Sequence, residues 1–206
     1  MKPDLKFLKA FTRLAYFYLL CVTAYVLVNF KYIDSEEGNP RILEPLKETT
    51  FLILLIYLAH ILVYYKERRL IINSFYLYGA ILLISLGSFL ITDKYKVSNY
   101  LEVIGIGVIF SFINFAIQTF KVRTQRLRKP YKNFALALII FLSAKGALGL
   151  YSGFNGSINI LDYRQILAYI NLTELLIPVS IILIFNAIKA LQQNPEDNSG
   201  PNTVYV

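Results

Sequence analysis

Two ionisable residues stand alone in long apolar runs, and chemistry is sought there first. Lys145 interrupts the run 133–151, and Glu174 interrupts the run 166–188. A charge at bilayer depth costs about 3 kcal/mol on insertion scales, so it is retained where it has a partner or a role. Lys145 precedes the end of its run by six residues, and Glu174 follows the start of the next by eight. At a rise of about 1.5 Å per residue, both would sit roughly 9–12 Å below the same face. Two roles fit this placement. One is a buried Lys145–Glu174 ion pair that sets the register of a helical hairpin, or Lys145 snorkelling outward. The other is an ion or proton pathway through a small channel or transporter. Pro178, one turn past Glu174, predicts a kink beside the carboxylate.

The second constellation is KVRTQRLRKPYK, residues 121–132. Its six basic residues, Lys121, Arg123, Arg126, Arg128, Lys129 and Lys132, have no acid among them. Between apolar runs, such a segment reads as a cytosolic loop that orients the chain. It is also a surface for anionic lipid, RNA or an RNA-loaded protein, because each basic residue near an anionic surface adds about 1 kcal/mol. Arg123, Arg126, Lys129 and Lys132 recur every third position, as in a voltage sensor. The residues between them are not apolar pairs, however, and Pro130 is expected to break a continuous helix.

The remaining candidates argue against catalysis and metal binding. The single histidine, His60, has no nearby Cys, Asp or Glu and reads as a helix–helix hydrogen-bond donor. Asn114 and Gln118, one turn apart, read the same way. Glu102 falls at a rim where solvation is easy. The only cysteine, Cys21, allows no disulfide within the chain and reads as a small buried hydrophobe. Glu36-Glu37-x-x-x-Arg41 superficially matches an intramembrane-protease motif, but Gly38 and Pro40 interrupt it and further histidines are lacking. G-x-S-x-G, H-E-x-x-H, Walker A and C-x-x-C are absent. These observations predict a protein that is not an enzyme and has no cofactor or metal. Asn155-Gly156-Ser157 is a formal glycosylation sequon.

The elements that must position these residues are membrane spans. The chain is 56% hydrophobic and 17% charged, with a mean hydropathy of +0.53. Its charges cluster between apolar runs of about 20 residues, the polytopic pattern. The spacing predicts an all-α transmembrane bundle of six spans, about 14–30, 49–65, 70–92, 98–120, 133–151 and 166–188. A four-span version follows if the last two lie on the surface. Residues 1–190 form a single transmembrane domain, and 191–206 a polar, disordered cytoplasmic tail. The first run is longer than a signal-peptide core, with no small-x-small site after it, so it reads as an uncleaved span. Residues 31–48 read as an acidic outer loop broken by Gly38, Pro40 and Pro45, and KERR (66–69) as a tight turn. Trp is absent, which leaves Tyr to supply the interfacial belt. Gly107-x-x-x-Ser111 fits the small-residue pattern of close helix approach.

Counting Lys and Arg on alternate sides, with Lys145 set apart, gives fourteen against six. The net charge of +8 is therefore first a topology signal. The bias places both termini in the cytoplasm of a cell whose inner membrane the chain spans.

This profile resembles that of the small multi-pass membrane proteins encoded beside type VI-B CRISPR effectors, the RNA-guided RNA-targeting nucleases. The likeness lies in length, number of spans, basic cytosolic segments and Ile/Lys/Tyr/Asn-rich usage over the whole chain. It implies a bacterial inner-membrane accessory that regulates antiviral defence, repressing or enhancing the effector, with no enzymatic activity. The R-x4-6-H motif of a related accessory family is not matched, since no arginine precedes His60 at that spacing. No functional residue is carried over. Expected partners are the lipid bilayer and, through 121–132, an RNA-guided effector complex or anionic lipid. A homo-oligomer and a purely structural membrane scaffold stay open.

Overall fold

The computed structural model describes residues 5–31, 43–91, 98–155 and 160–193. The described chain is all-α, a bundle of seven helices. These are α1 Leu5–Lys31, α2 Leu43–Tyr64, α3 Arg69–Ile91, α4 Ser98–Thr119, α5 Gln125–Asn155, α6 Ile160–Thr173 and α7 Leu176–Gln193. Five stretches are long and apolar enough to cross a membrane: Lys6–Phe30, Leu43–Tyr64, Arg69–Gly87, Gln125–Tyr151 and Asp162–Gln193. Their apolar residues are not confined to one stripe. Leu20, Leu27, Leu70, Phe110 and Leu150 are all exposed on the outside of the bundle. A helix that is hydrophobic all round suits lipid on one side and protein on the other.

Helix direction follows from contacts. Phe11 stacks on Tyr57 with ring centroids 3.6 Å apart, so the start of α1 lies beside the end of α2. Tyr25, late in α1, lies under the ammonium of Lys47, early in α2. The two helices are therefore antiparallel. The start of α1 and the end of α7 share a groove, which puts them at one end of the bundle, called the near end below. The α2–α3 turn is also at the near end.

The place of α4 is fixed by Glu67 in that turn. Its carboxylate accepts hydrogen bonds from the backbone amides of Arg123 and Thr124, just after α4. Thus α3 leaves the near end and α4 returns to it. At 23 and 22 residues, each is about 33 Å long; among the described residues α4 has a shorter apolar stretch, Gly107–Thr119, and is not one of the five. The antiparallel pair α3–α4 is among the most extensively packed in the bundle.

Helix α2 is the central post. Leu54, Leu55, Leu58, Ala59, Ile61 and Leu62 are all within 1% of complete burial. Phe75, Phe115, Tyr131 and Phe134 pack around it edge to face. The Tyr131 hydroxyl donates to the Leu58 carbonyl at 3.0 Å, tying α5 to α2. Between apolar helices in lipid, such packing and hydrogen bonding drive association, since lipid tails compete for apolar contact.

Several boundaries differ from the sequence reading. Helix α2 starts at Leu43, six residues before the predicted span, and takes in Glu44, Lys47 and Glu48. Pro45 lies in its first turn, where a missing N–H costs nothing. Helix α5 starts at Gln125, eight residues before the predicted span, and Pro130 lies inside it. The connector 121–132 is therefore a short turn followed by two helical turns, not a loop. Pro130 forfeits the bond to the Arg126 carbonyl, while the buried stripe of Leu127, Tyr131, Phe134 and Leu138 carries the helix across. The sixth span is two helices, α6 and α7, separated at Glu174 and Leu175. The remainder of the acidic segment (32–42) and the tail 194–206 lie outside the described residues.

Candidate functional site

The break between α6 and α7 creates the site. Around it the backbone tightens to three-residue bonds: Glu174 N to Asn171 O at 3.1 Å, Leu175 N to Leu172 O at 3.2 Å and Ile177 N to Glu174 O at 3.0 Å. Pro178 explains the shift. It has no N–H to offer the Glu174 carbonyl, so Ile177 bonds that carbonyl instead. The predicted kink beside Glu174 is thus a change of helix.

Glu174 is 2% exposed, and its partner is Lys47, not Lys145. The Lys47 Nζ lies 2.6 Å from Glu174 Oε1, and Lys47 is 1% exposed. Lys47 also approaches Glu48 at 3.5 Å and stands 4.2 Å above the Tyr25 ring. Lys145 instead places its ammonium 4.6 Å from the Phe141 ring centroid. The correction has a simple cause. The early start of α2 brings a lysine from the presumed outer loop into the bundle, within reach of the carboxylate. Lys145 lines the same cavity as Glu174 without forming an ion pair with it.

The cavity has a volume of about 260 Å³, and α1 to α5, α7 and the α6–α7 break all contribute to it. Glu44 and Glu48 from α2, Lys145 from α5 and Glu174 line it, with Ser85 from α3 and Val108 from α4. Aromatic walls come from Tyr18, Phe51, Tyr78 and Phe141. The Glu48 side chain is 39% exposed and lies within two turns of the α2 start, at the far end, so the cavity faces that end. Nearer the α2–α3 turn, Leu58, Phe75, Phe115, Tyr131 and Phe134 are buried to within 1% of completeness and line no part of it.

Three carboxylates and two ammonium groups, those of Lys145 and Lys47, surround this space or back onto it. The surplus is negative. Glu174 Oε2 is buried without a hydrogen-bond partner, as are both amide atoms of Asn171, one turn earlier on α6. Buried polar groups left unpaired carry the full desolvation cost.

No family model, curated protein or solved structure matches this chain. The site is therefore read from its own geometry.

The other candidates fall elsewhere. Lys121, Arg123, Arg126, Arg128 and Lys129 are exposed at the near end, and Lys132 is half-buried there. They share that end, but not the cavity. His60 is exposed on α2 and makes no hydrogen bond within the described chain. Asn114 is exposed and Gln118 half-buried on α4, so neither cross-links helices as expected. Gly107 meets no neighbouring atom within 4 Å, and the Ser111 hydroxyl donates to its own helix at Val108, so this pair mediates no close approach. Cys21 is buried, as expected. Glu36, Glu37 and Arg41 lie outside the described residues. Among the described residues, no cluster of three metal-ligating side chains occurs.

Two functional residues were missed by sequence reasoning. In the sequence Lys47 reads as a charge of the 31–48 loop. Glu67 was one letter in a basic turn, yet it is 7% exposed and accepts from the Arg123 and Thr124 amides and from the Thr124 hydroxyl at 2.6 Å. Thr124 in turn caps α5, its carbonyl accepting from Leu127 and Arg128. An acid at a helix N-terminus also meets the positive end of the helix dipole. One signal was available for each. Pro45 preceded by Glu44 is a helix-start signature, and a lone acid among KERR is odd unless something holds it.

Proposed function

We propose that the chain is a multi-pass inner-membrane carrier that takes a small organic cation into the far-end cavity. The carrying observation is the cavity's lining. It combines a surplus of carboxylates with four aromatic walls and sits beside a helix interrupted at a buried glutamate. Carboxylates and aromatic faces together attract ammonium groups. Discontinuous helices at a midplane site are a recurring device of secondary transporters. The closed aromatic layer below the cavity favours a carrier over an open pore. Lys145, already resting on the Phe141 ring, acts as a tethered cation that an incoming ammonium displaces. The excess of Lys and Arg at the near end supports a cytoplasmic near end, so the cavity faces outward.

The test is uptake of labelled small ammonium compounds into proteoliposomes, with wild-type chain and with Glu174→Gln. Uptake that needs the protein and drops at least tenfold in the variant supports the reading. No protein-dependent uptake, or uptake indifferent to the substitution, sinks it.

A second reading rests on the exposed basic residues at the start of α5. In it the protein is a regulatory accessory whose near end docks an RNA-guided effector complex, the partner implied by the resemblance to type VI-B accessory proteins. Replacing Lys121, Arg123, Arg126, Arg128, Lys129 and Lys132 by Gln should then abolish co-purification of the effector while insertion is kept. Unchanged co-purification rejects it.

A further inference from the structure

At the near end, away from the cavity, α1 and α7 run side by side and enclose a groove of about 360 Å³. Two facing stripes line it. On α1 they are Lys9, Arg13 and Tyr16, at intervals of four and three residues. On α7 they are Asn186, Lys189 and Gln193, at intervals of three and four. Both intervals are those of one helix face, so each stripe looks across at the other. The groove has three cations and no acid in its lining. None of Lys9, Arg13 and Lys189 forms an ion pair among the described residues. Three like charges converging without a counter-ion repel one another, and the arrangement gains most from an anion with several acceptor oxygens.

The groove's height in the bundle says where that anion comes from. Arg13 immediately precedes the apolar part of α1, and Lys189 lies in the last turns of α7, so the cations stand where headgroups lie. Further into the bilayer the stripes continue as lipid-accessible leucines. Leu20 follows Tyr16 by one turn and is 67% exposed, and Leu183 precedes Asn186 by one turn and is 46% exposed. A cationic cradle continuing into apolar rails matches a molecule with phosphate above and acyl chains below.

We propose that the α1–α7 groove is a binding site for the phosphate headgroup of an anionic phospholipid. The Arg13 guanidinium offers a forked pair of donors to one phosphodiester, and Lys9 and Lys189 close on it from both sides. Tyr16 and Asn186, on the bilayer side of these cations, supply neutral hydrogen bonds at the glycerol level, and Gln193 lies at the outer end beside the headgroup. The site is separate from the cavity and stands whether or not the chain is a carrier.

The experiment is lipid retention by the full-length chain in neutral detergent, measured by native mass spectrometry against added phosphatidylglycerol or phosphatidylcholine. Wild type should retain phosphatidylglycerol in preference. The triple variant Lys9→Gln, Arg13→Gln, Lys189→Gln should lose roughly a hundredfold in that affinity, three basic contacts' worth. A control triple, Lys121→Gln, Arg126→Gln, Lys129→Gln, should bind as wild type does. Lys9→Arg with Lys189→Arg should retain the preference, and all variants should elute as single species. Equal retention of the two lipids overturns the proposal, as does an unaffected groove triple. So does an equal loss in the control triple, which would make the effect one of net charge. Inorganic phosphate that displaces the lipid at equal concentration would show a free-phosphate site instead and overturn the lipid assignment.

Discussion

Replacing Lys47 by Met should be among the most damaging single changes in the chain. The substitution keeps the volume of the stem but leaves Glu174 with no cation at hydrogen-bond distance. Glu174 is 2% exposed and already has one unpaired oxygen. Removing one partner of a buried ion pair costs about 3–5 kcal/mol, because the survivor is an uncompensated buried charge. At about 2–4 °C per kcal/mol for a chain of this size, the melting temperature should fall by roughly 6–20 °C. Lys145→Met should cost under about 1 kcal/mol, since it loses only a cation–π contact at the cavity wall. Lys47→Met combined with Glu174→Leu should recover much of the loss, because paired apolar replacements of buried ions are often near neutral. The assay is thermal unfolding in mild detergent, followed by circular dichroism, for wild type, Lys47→Met, Glu174→Leu, their double variant and Lys145→Met. A Lys145→Met variant that melts as low as Lys47→Met would refute the reasoning. So would a double variant whose loss is the sum of the two single losses, because coupling between contacting groups is what the 2.6 Å distance requires.

Two further outcomes follow from the same contacts. Glu67→Gln should destabilise by about 2–3 kcal/mol, because charge-assisted bonds to two amides and a hydroxyl weaken together; protease accessibility of the 120–124 turn should rise in step, and unchanged cleavage would count against the latch. Cys21 should resist a membrane-permeant maleimide in the folded protein and react once denatured, since its side chain is buried; stoichiometric labelling of the native chain contradicts that placement.

The fold class was legible because it depends on bulk quantities. Apolar runs of bilayer length and clustered charge leave little choice but a helical bundle. The kink at Pro178 was legible for a local reason, a missing amide one turn past Glu174. Boundaries were harder, because hydropathy marks where lipid contact begins and not where backbone hydrogen bonding begins. That is why α2 and α5 start before their apolar runs, and why Pro45 and Pro130 read as breakers although both sit early in helices. The mispairing of Glu174 followed directly. With Lys47 read as part of a loop, Lys145 is the one cation inside the predicted spans. The Glu67 latch spans 57 residues to Thr124, a contact set by tertiary packing that no local pattern carries.

The central claim is that solvent and small cations reach the cavity from the far end only. The direct measurement is cysteine accessibility at Ser85, which lines the cavity, in a Cys21→Ala background with chain reconstituted in one orientation. Ser85→Cys should react with a small cationic thiosulfonate added on the far side and not with the same reagent added on the near side, and Glu174→Gln should slow the reaction by weakening the local negative field. Leu54→Cys, in the fully buried layer, should react from neither side. Labelling of Ser85→Cys from the near side, or from neither, would contradict the account.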